Sequence, residues 1–157
     1  LKPFVIGFVW AATVNLLPLI LLKIESGIDI TESSFWFFLF IKNWMFCTVN
    51  AIMFDMKDYA IDYNSQLKTF VVRIGLKKTI FYVLIPLLIT GTLSLLIFAY
   101  AQHFPPGRVL CNLVPFVLTI IVAYSMNKRK KIFYYLIVID GLILVKAVCG
   151  IIGTQFI

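Results

Sequence analysis

The sequence predicts an all-α membrane protein, a bundle of five transmembrane helices in a single membrane domain over residues 1–157. Of the 157 residues, 62% are apolar and 13% are charged, and the mean hydropathy is +1.01, which excludes an ordinary soluble domain. Each of five nearly uncharged stretches is close to the length of about 20 residues that a helix needs to cross a bilayer. These stretches are 3–22, 35–54, 80–101, 109–126 and 132–157.

The spans are expected to be helices because a backbone inside lipid must satisfy its own hydrogen bonds, and the stretches lack the alternation typical of barrel strands. The first span is too long for a secretory signal and no small-x-small cleavage site follows it, so we expect it to remain in the protein. The chain begins at Leu1 rather than at Met. We therefore expect the chain to be part of a longer protein.

Basic residues are concentrated in the connections on one side of the predicted membrane. With five crossings, the chain start, the long polar segment 55–79 and the basic hairpin 127–131 share that side. They hold ten Lys or Arg residues, against Lys23 and Arg108 in the connections opposite. Basic loops stay in the cytoplasm, so segment 55–79 is expected to be cytoplasmic. The same placement explains the net charge of +7 without a nucleic-acid partner.

Three aspartates in the long polar segment form a candidate metal site. If the second helix continues past the membrane surface, Asp55, Asp58 and Asp62 lie on one stripe of that helix. Their oxygens suit Mg²⁺, which typically bridges one or two carboxylates to substrate phosphates. Lys68 and Arg73 follow and are candidates to neutralise a diphosphate. On spacing alone, a solvated helix end whose acids are balanced by lysines is an equally good interpretation.

The run Asp55-x-x-Asp58-x-x-x-Asp62, followed by the residues up to Gly75, resembles the second aspartate-rich motif of the UbiA superfamily of intramembrane prenyltransferases. In that family the motif lies in a cytoplasmic loop with three helices after it, as predicted here. The resemblance covers the whole chain. It implies a nine-helix bundle of which this chain supplies the last five helices, in a bacterial inner membrane.

The resemblance also implies a reaction and its residues. Members of the family bind an isoprenyl diphosphate through Mg²⁺, ionise it and transfer the prenyl chain to a lipophilic acceptor. By matching position, Asp55, Asp58 and Asp62 would be catalytic metal and diphosphate ligands. Lys68 would contact the diphosphate, and Arg73, which matches less closely, would contact it or anchor an interfacial helix.

Two features of the chain depart from the family pattern. Phe54 stands where the family often has Asn. The family's first aspartate-rich motif belongs to an earlier helix pair, and Asp29 and Glu32 cannot replace it because they lie on the opposite side of the predicted membrane. The chain alone would therefore hold half of an active site, and the missing N-terminal helices of the parent chain would be needed.

Several polar residues lie within the predicted spans, where charges are expensive and usually line a cavity or form pairs. Lys42, Asp140 and Lys146 are each expected at a depth of about 12–21 Å, at 1.5 Å per residue. We expect Lys42 to pair with Asp140, either as a structural ion pair or in substrate binding. Asn43 and Asn50 share a helix face, and either line a cavity beneath the aspartates, with Asn50 binding substrate, or form interhelical hydrogen bonds.

Among the possible functions, an intramembrane prenyltransferase agrees with the acidic stripe, the loop position and the helix count. A CDP-alcohol phosphotransferase needs Asp-Gly followed by Ala-Arg, whereas Asp140-Gly141 continues as Leu-Ile-Leu inside a span. A non-enzymatic transporter or structural membrane protein is the alternative. It accounts for the intramembrane charges but gives the three aspartates no use.

Overall fold

The computed structural model describes residues 2–27, 35–127 and 130–155, and within these ranges all regular structure is helical. Five helical segments are long and apolar enough to cross a membrane. The helices are α1 (Lys2–Ser26), α2 (Phe35–Lys57), α3 (Tyr59–Asn64), α4 (Phe70–Ile74), α5 (Leu76–Thr79), α6 (Ile85–Ala101), α7 (Pro106–Ser125) and α8 (Ile132–Gln155). The all-α class and the five predicted spans are confirmed for this part of the chain.

Most spans extend beyond the stretches predicted from hydropathy. The helix α1 continues to Ser26, and α2 continues to Lys57. The third crossing begins at Leu76, because a π-helical turn, Ile80–Leu84, joins α5 to α6 without a break. Hydropathy marks only the residues inside hydrocarbon, whereas helical hydrogen bonding continues into the polar interface. Asp29 and Glu32 lie outside the described residues, as do two residues of the basic hairpin, Lys128 and Arg129.

The helix α2 is the centre of the bundle. It packs along α1 on one side and along α6 on the other, and α8, which pairs with α7, also contacts α2. Half of the residues in the apolar 18-residue stretch of α2 are buried, compared with 17% of the residues in the corresponding stretches of α1 and α8. The helices α1 and α8 therefore keep broad apolar faces exposed.

Two glycines allow neighbouring helices to approach α2 closely. A Cβ at Gly7 of α1 would lie 2.7 Å from the backbone nitrogen of Thr48 and 2.8 Å from its Cα. A Cβ at Gly91 of α6 would lie 2.9 Å from the Phe116 ring and 3.3 Å from the Met45 Cβ. Small residues commonly permit such close packing between membrane helices. These contacts hold α1 and α6 against α2.

Gly7→Ala is expected to lower the free energy of unfolding by about 1–3 kcal/mol, because the new Cβ would overlap the Thr48 Oγ1 and also two Thr48 backbone atoms, which cannot rotate away. The matched control is Gly141→Ala, since a Cβ at Gly141 meets nothing within 4 Å. The control is expected to be neutral or stabilising by up to about 1 kcal/mol. The measurement is reversible unfolding in mixed detergent micelles. Equal effects of the two substitutions would contradict the close approach.

Candidate functional site

The three aspartates of the motif lie at the end of α2 and in the short helix that follows. Asp55 belongs to the last turn of α2, and Asp62 belongs to α3. Asp58 stands between the two helices with φ −91° and ψ 0°. The backbone N–H of Asp62 donates to the carbonyl oxygen of Asp58 at 2.9 Å, which is the spacing of an α-helical bond. The predicted continuation of α2 is thus interrupted at one residue, while the motif keeps a nearly helical path.

The aspartates of the motif act on one another electrostatically. Asp58 and Asp62 both repel the half-buried carboxylate of Asp55, and Lys2 of α1 attracts it. The Lys57 Nζ lies 3.6 Å from Asp58 Oδ2, and a partly exposed ion pair of this kind contributes about 1 kcal/mol or less. Sequence reasoning did not assign Lys2 to this site, because only helix packing brings the start of α1 to the end of α2.

The carboxylates of the motif suit Mg²⁺ by their chemistry. Within the described residues, no three His, Cys, Asp or Glu side chains are grouped closely enough to enclose a metal ion. Mg²⁺ does not need such a cage, since it retains waters and takes one or two carboxylates together with substrate phosphates. That Asp55, Asp58 and Asp62 bind Mg²⁺ stays a prediction.

The two cations predicted to contact diphosphate are both exposed. Lys68 lies between α3 and α4 and lines a shallow depression of about 490 Å³ together with Tyr63 and Gln66. Arg73 lies in α4. In the part of the chain that the structure describes, neither forms an ion pair with an aspartate of the motif. Their contact with diphosphate stays a prediction.

A cavity of about 850 Å³ lies between α1, α2 and α8, adjacent to the motif. The end nearest the motif is formed by Asn50, Ala51 and Phe54, which directly precedes Asp55. Most of the wall is apolar, and the polar residues along it are Lys42, Asn43, Asn50, Asn112, Asp140, Lys146 and Thr154. The prediction that Asn43 and Asn50 line a cavity beneath the aspartates is confirmed.

Hydrogen bonds between polar side chains join the three helices around this cavity. Asn43 Nδ2 of α2 donates to Asn15 Oδ1 of α1 at 2.9 Å, and Lys146 Nζ of α8 donates to Asn43 Oδ1 at 2.8 Å. Lys146 Nζ also lies 4.3 Å from the centre of the Phe46 ring. The predicted interhelical bonding of Asn43 is confirmed. Sequence reasoning missed Asn15, although a lone amide in an apolar span was a usable signal.

Asn50 differs from Asn43 because only one of its two polar side-chain atoms forms a hydrogen bond within the part of the chain that the structure describes. Its Nδ2 donates to the backbone carbonyl of Phe46 in its own helix at 2.9 Å. Its Oδ1 is buried and has no hydrogen-bond partner among the residues that the structure describes. An unpaired buried acceptor costs free energy, so Asn50 is less well satisfied than Asn43. Substrate binding by Asn50 stays a prediction.

The predicted ion pair between Lys42 and Asp140 is wrong. Both residues line the cavity, but they form no ion pair, and Asp140 is exposed. The charged groups that act most strongly on Lys42 are Lys146 and Arg108, both of them positive. Asp140 and Lys146 are about 120° apart around α8, so when Lys146 faces Asn43 the carboxylate lies on a different part of the helix surface.

No family model, curated protein or solved structure matches this chain significantly. Its five apolar helices identify an integral, multi-pass membrane protein whose surroundings are a lipid bilayer. The acidic motif at the end of α2 and the cavity adjacent to it are the features from which a function can be argued.

Proposed function

We propose that this chain forms the C-terminal part of an intramembrane prenyltransferase of the UbiA type. The enzyme transfers a polyprenyl group from an isoprenyl diphosphate to a lipophilic acceptor, with loss of diphosphate. The observation that carries the proposal is the junction at Phe54 and Asp55, where an apolar cavity wall meets the acidic motif. An amphiphile with a charged head and an apolar tail finds a separate binding region for each part at this junction.

The acidic motif binds the charged head of the donor. Asp55, Asp58 and Asp62 would hold Mg²⁺, which when bound supplies positive charge to offset the charge that develops on the leaving diphosphate. Lys68 and Arg73 donate hydrogen bonds to its outer oxygens. Charge neutralisation and positioning are the main contributions of these side chains.

The cavity binds the apolar part of the donor. Its walls come from α1, α2 and α8, with Phe46, Phe54 and Ile143 among the apolar residues. Burial of the isoprenoid chain against these side chains is driven by the hydrophobic effect. The same walls exclude water, which protects an allylic cation from hydrolysis until the acceptor reacts.

The proposed enzyme needs a second acidic motif, which we assign to helices outside these 157 residues. The exposed apolar faces of α1 and α8, which flank the cavity, are suitable packing surfaces for such helices. In this arrangement the protein lies in a bacterial inner membrane with the motif on the cytoplasmic side, in agreement with the distribution of Lys and Arg.

Binding of a non-hydrolysable donor analogue tests the proposal. Farnesyl thiolodiphosphate is titrated into the complete protein, with its N-terminal helices, in lipid nanodiscs that contain Mg²⁺ or EDTA. We expect Mg²⁺ to tighten binding at least tenfold, and Asp55→Asn or Asp58→Asn to remove that gain, because each substitution deletes a charged oxygen ligand. Glu25→Gln, at the other end of α1, is the matched control and should bind as the wild type does.

Two results of that titration would oppose the proposal. Binding that is independent of Mg²⁺ would favour the transporter or structural interpretation, in which Lys42 and Lys146 are the important charges. Mg²⁺-dependent binding that survives both aspartate substitutions would remove the motif from the site.

A further inference from the structure

Two pairs of exposed lysines lie at the starts of the third and fifth crossings, one pair in α5 and the other just before α8. We call this set the lysine rim: Lys77, Lys78, Lys130 and Lys131. The chain has no Asp or Glu between Asp62 and Asp140. Within the described residues, no carboxylate forms an ion pair with a lysine of the rim. The rim is therefore a surface of uncompensated positive charge.

Contacts between neighbouring helices bring the two pairs to one edge of the bundle. The ring of Phe81, in the π-helical turn after α5, lies 6.4 Å from the ring of Tyr124 near the end of α7, measured between centres. Ser125, the last residue of α7, shares a hydrogen bond of 2.6 Å with the hydroxyl of Tyr134 in α8. The first pair of lysines precedes Phe81 by about one helical turn, and the second pair precedes Tyr134 by about the same. The rim thus follows the adjoining ends of three crossings.

Exposed aromatic side chains lie next to the rim, within the crossing helices. They are between 44% and 78% exposed, and they are Phe81, Tyr82, Tyr124 and Phe133. Aromatic rings at the ends of membrane helices lie at the level of the lipid headgroups. This edge of the bundle therefore presents a layer of ammonium groups beside a layer of rings.

The two layers define the ligand that fits. Lysine ammonium groups attract phosphate as compact point charges and donate hydrogen bonds to it. A phosphate that carries acyl chains contacts the lysines and the rings together, whereas a water-soluble phosphate contacts only the lysines. Basic clusters between membrane helices on the cytoplasmic side are suited to acidic lipid headgroups for this reason.

We propose that the lysine rim binds one anionic phospholipid of the surrounding leaflet. Its phosphate lies between the lysines of α5 and those that precede α8, and its acyl chains pack against the exposed rings of Phe81 and Tyr124. Orientation of the chain in the membrane depends only on the number of basic residues in each connection. The lipid site depends in addition on both lysine pairs being side by side. It does not rest on the proposed function.

Lipid binding to the complete protein in non-ionic detergent, followed by native mass spectrometry, tests the proposal. The probes are phosphatidylglycerol and phosphatidylcholine with identical acyl chains. We expect the first phosphatidylglycerol to bind about fivefold more tightly than phosphatidylcholine, or better. Lys77→Gln with Lys78→Gln should reduce this preference to about twofold or less, because half of the rim loses its charge. Lys130→Gln with Lys131→Gln should do the same.

Lys23→Gln with Lys57→Gln is the matched control. It removes the same number of charges, but from the far end of α1 and from the end of α2, and it should retain the preference. An equal loss in the control would show that net charge alone attracts the lipid, and would overturn the proposal. Equal binding of the two lipids to the wild type, or a preference that survives in either double variant of the rim, would also overturn it.

Two further measurements complete the test. Both double variants of the rim should unfold at the same denaturant concentration as the wild type in phosphatidylcholine micelles, since the substituted lysines are exposed and unpaired within the described residues. Glycerol 3-phosphate should not displace phosphatidylglycerol at equal concentration. Displacement would identify a soluble phosphate as the ligand and overturn the proposal. None of these results affects the Mg²⁺ titration of the aspartate variants.

Discussion

If the chain is part of the prenyltransferase proposed above, Asp58→Asn in the complete protein is expected to reduce Mg²⁺-dependent diphosphate release by about 10²–10³-fold, the usual cost of removing one group that stabilises charge in the transition state. Asp58 lies where α2 ends and α3 begins, between the other two aspartates of the motif. Replacing its carboxylate by an amide keeps the size of the side chain and removes the charge that we propose attracts Mg²⁺. We expect Asp55→Asn to have an effect of the same order.

Release of pyrophosphate from an isoprenyl diphosphate, followed with a coupled assay in nanodiscs, is the measurement. Glu25→Gln is again the matched control, since its exposed carboxylate lies near the other end of α1 and should leave the rate unchanged. A loss of rate that is smaller at high Mg²⁺ would agree with a weakened metal site. Undiminished release in both Asp55→Asn and Asp58→Asn would contradict the role proposed for the motif.

Asn43→Leu is expected to lower the free energy of unfolding by about 2–4 kcal/mol. Asn43 accepts a hydrogen bond from Lys146 and donates one to Asn15, so its loss removes one partner from the buried Asn15 amide and one from the half-buried Lys146 ammonium group. A bond between membrane helices is itself worth about 0.6–2 kcal/mol. The larger part of the effect comes from leaving the half-buried ammonium of Lys146 without its hydrogen bond.

Thr13→Val provides the matched control for this substitution. The Thr13 hydroxyl is exposed and donates only to the carbonyl oxygen of Val9 in its own helix, so its removal should change the free energy of unfolding by about 0.5 kcal/mol or less. Both variants are unfolded reversibly in mixed micelles. Similar changes in the free energy of unfolding for Asn43→Leu and Thr13→Val would mean that the hydrogen bonds joining α1, α2 and α8 contribute little to stability.

Part of the candidate site could be predicted from sequence because it depends on neighbouring residues in the chain. Asp55, Asp58 and Asp62 are close together along the chain, and a helical path at the end of α2 was enough to place them near one another. The cavity position of Asn43 and Asn50 followed in the same way, from their spacing on one helix. The interruption of the helix at Asp58 was not predictable from that spacing, since it involves a single residue whose backbone departs from the helical path.

The contacts between helices were much less predictable. The sequence suggests Asp140 as the partner of Lys42, whereas in the bundle the charged groups that act most strongly on Lys42 are Lys146 and Arg108, both of them positive. The partner of Lys146 is a neutral amide, Asn43. Charge complementarity identifies which residues are able to pair, but the rotation of each helix decides which of them meet.

By itself, the amino-acid sequence determined the all-α class and the five crossings. The length and hydropathy of an apolar stretch are local properties, and they decide for each helix separately whether it can cross the bilayer. Only the tertiary structure decided that Lys2 approaches Asp55, that Asn15 binds Asn43, and that two lysines share one cavity. Helices that are apolar on all sides carry little periodicity to orient them, so close contacts such as Gly7 against Thr48 set which faces meet.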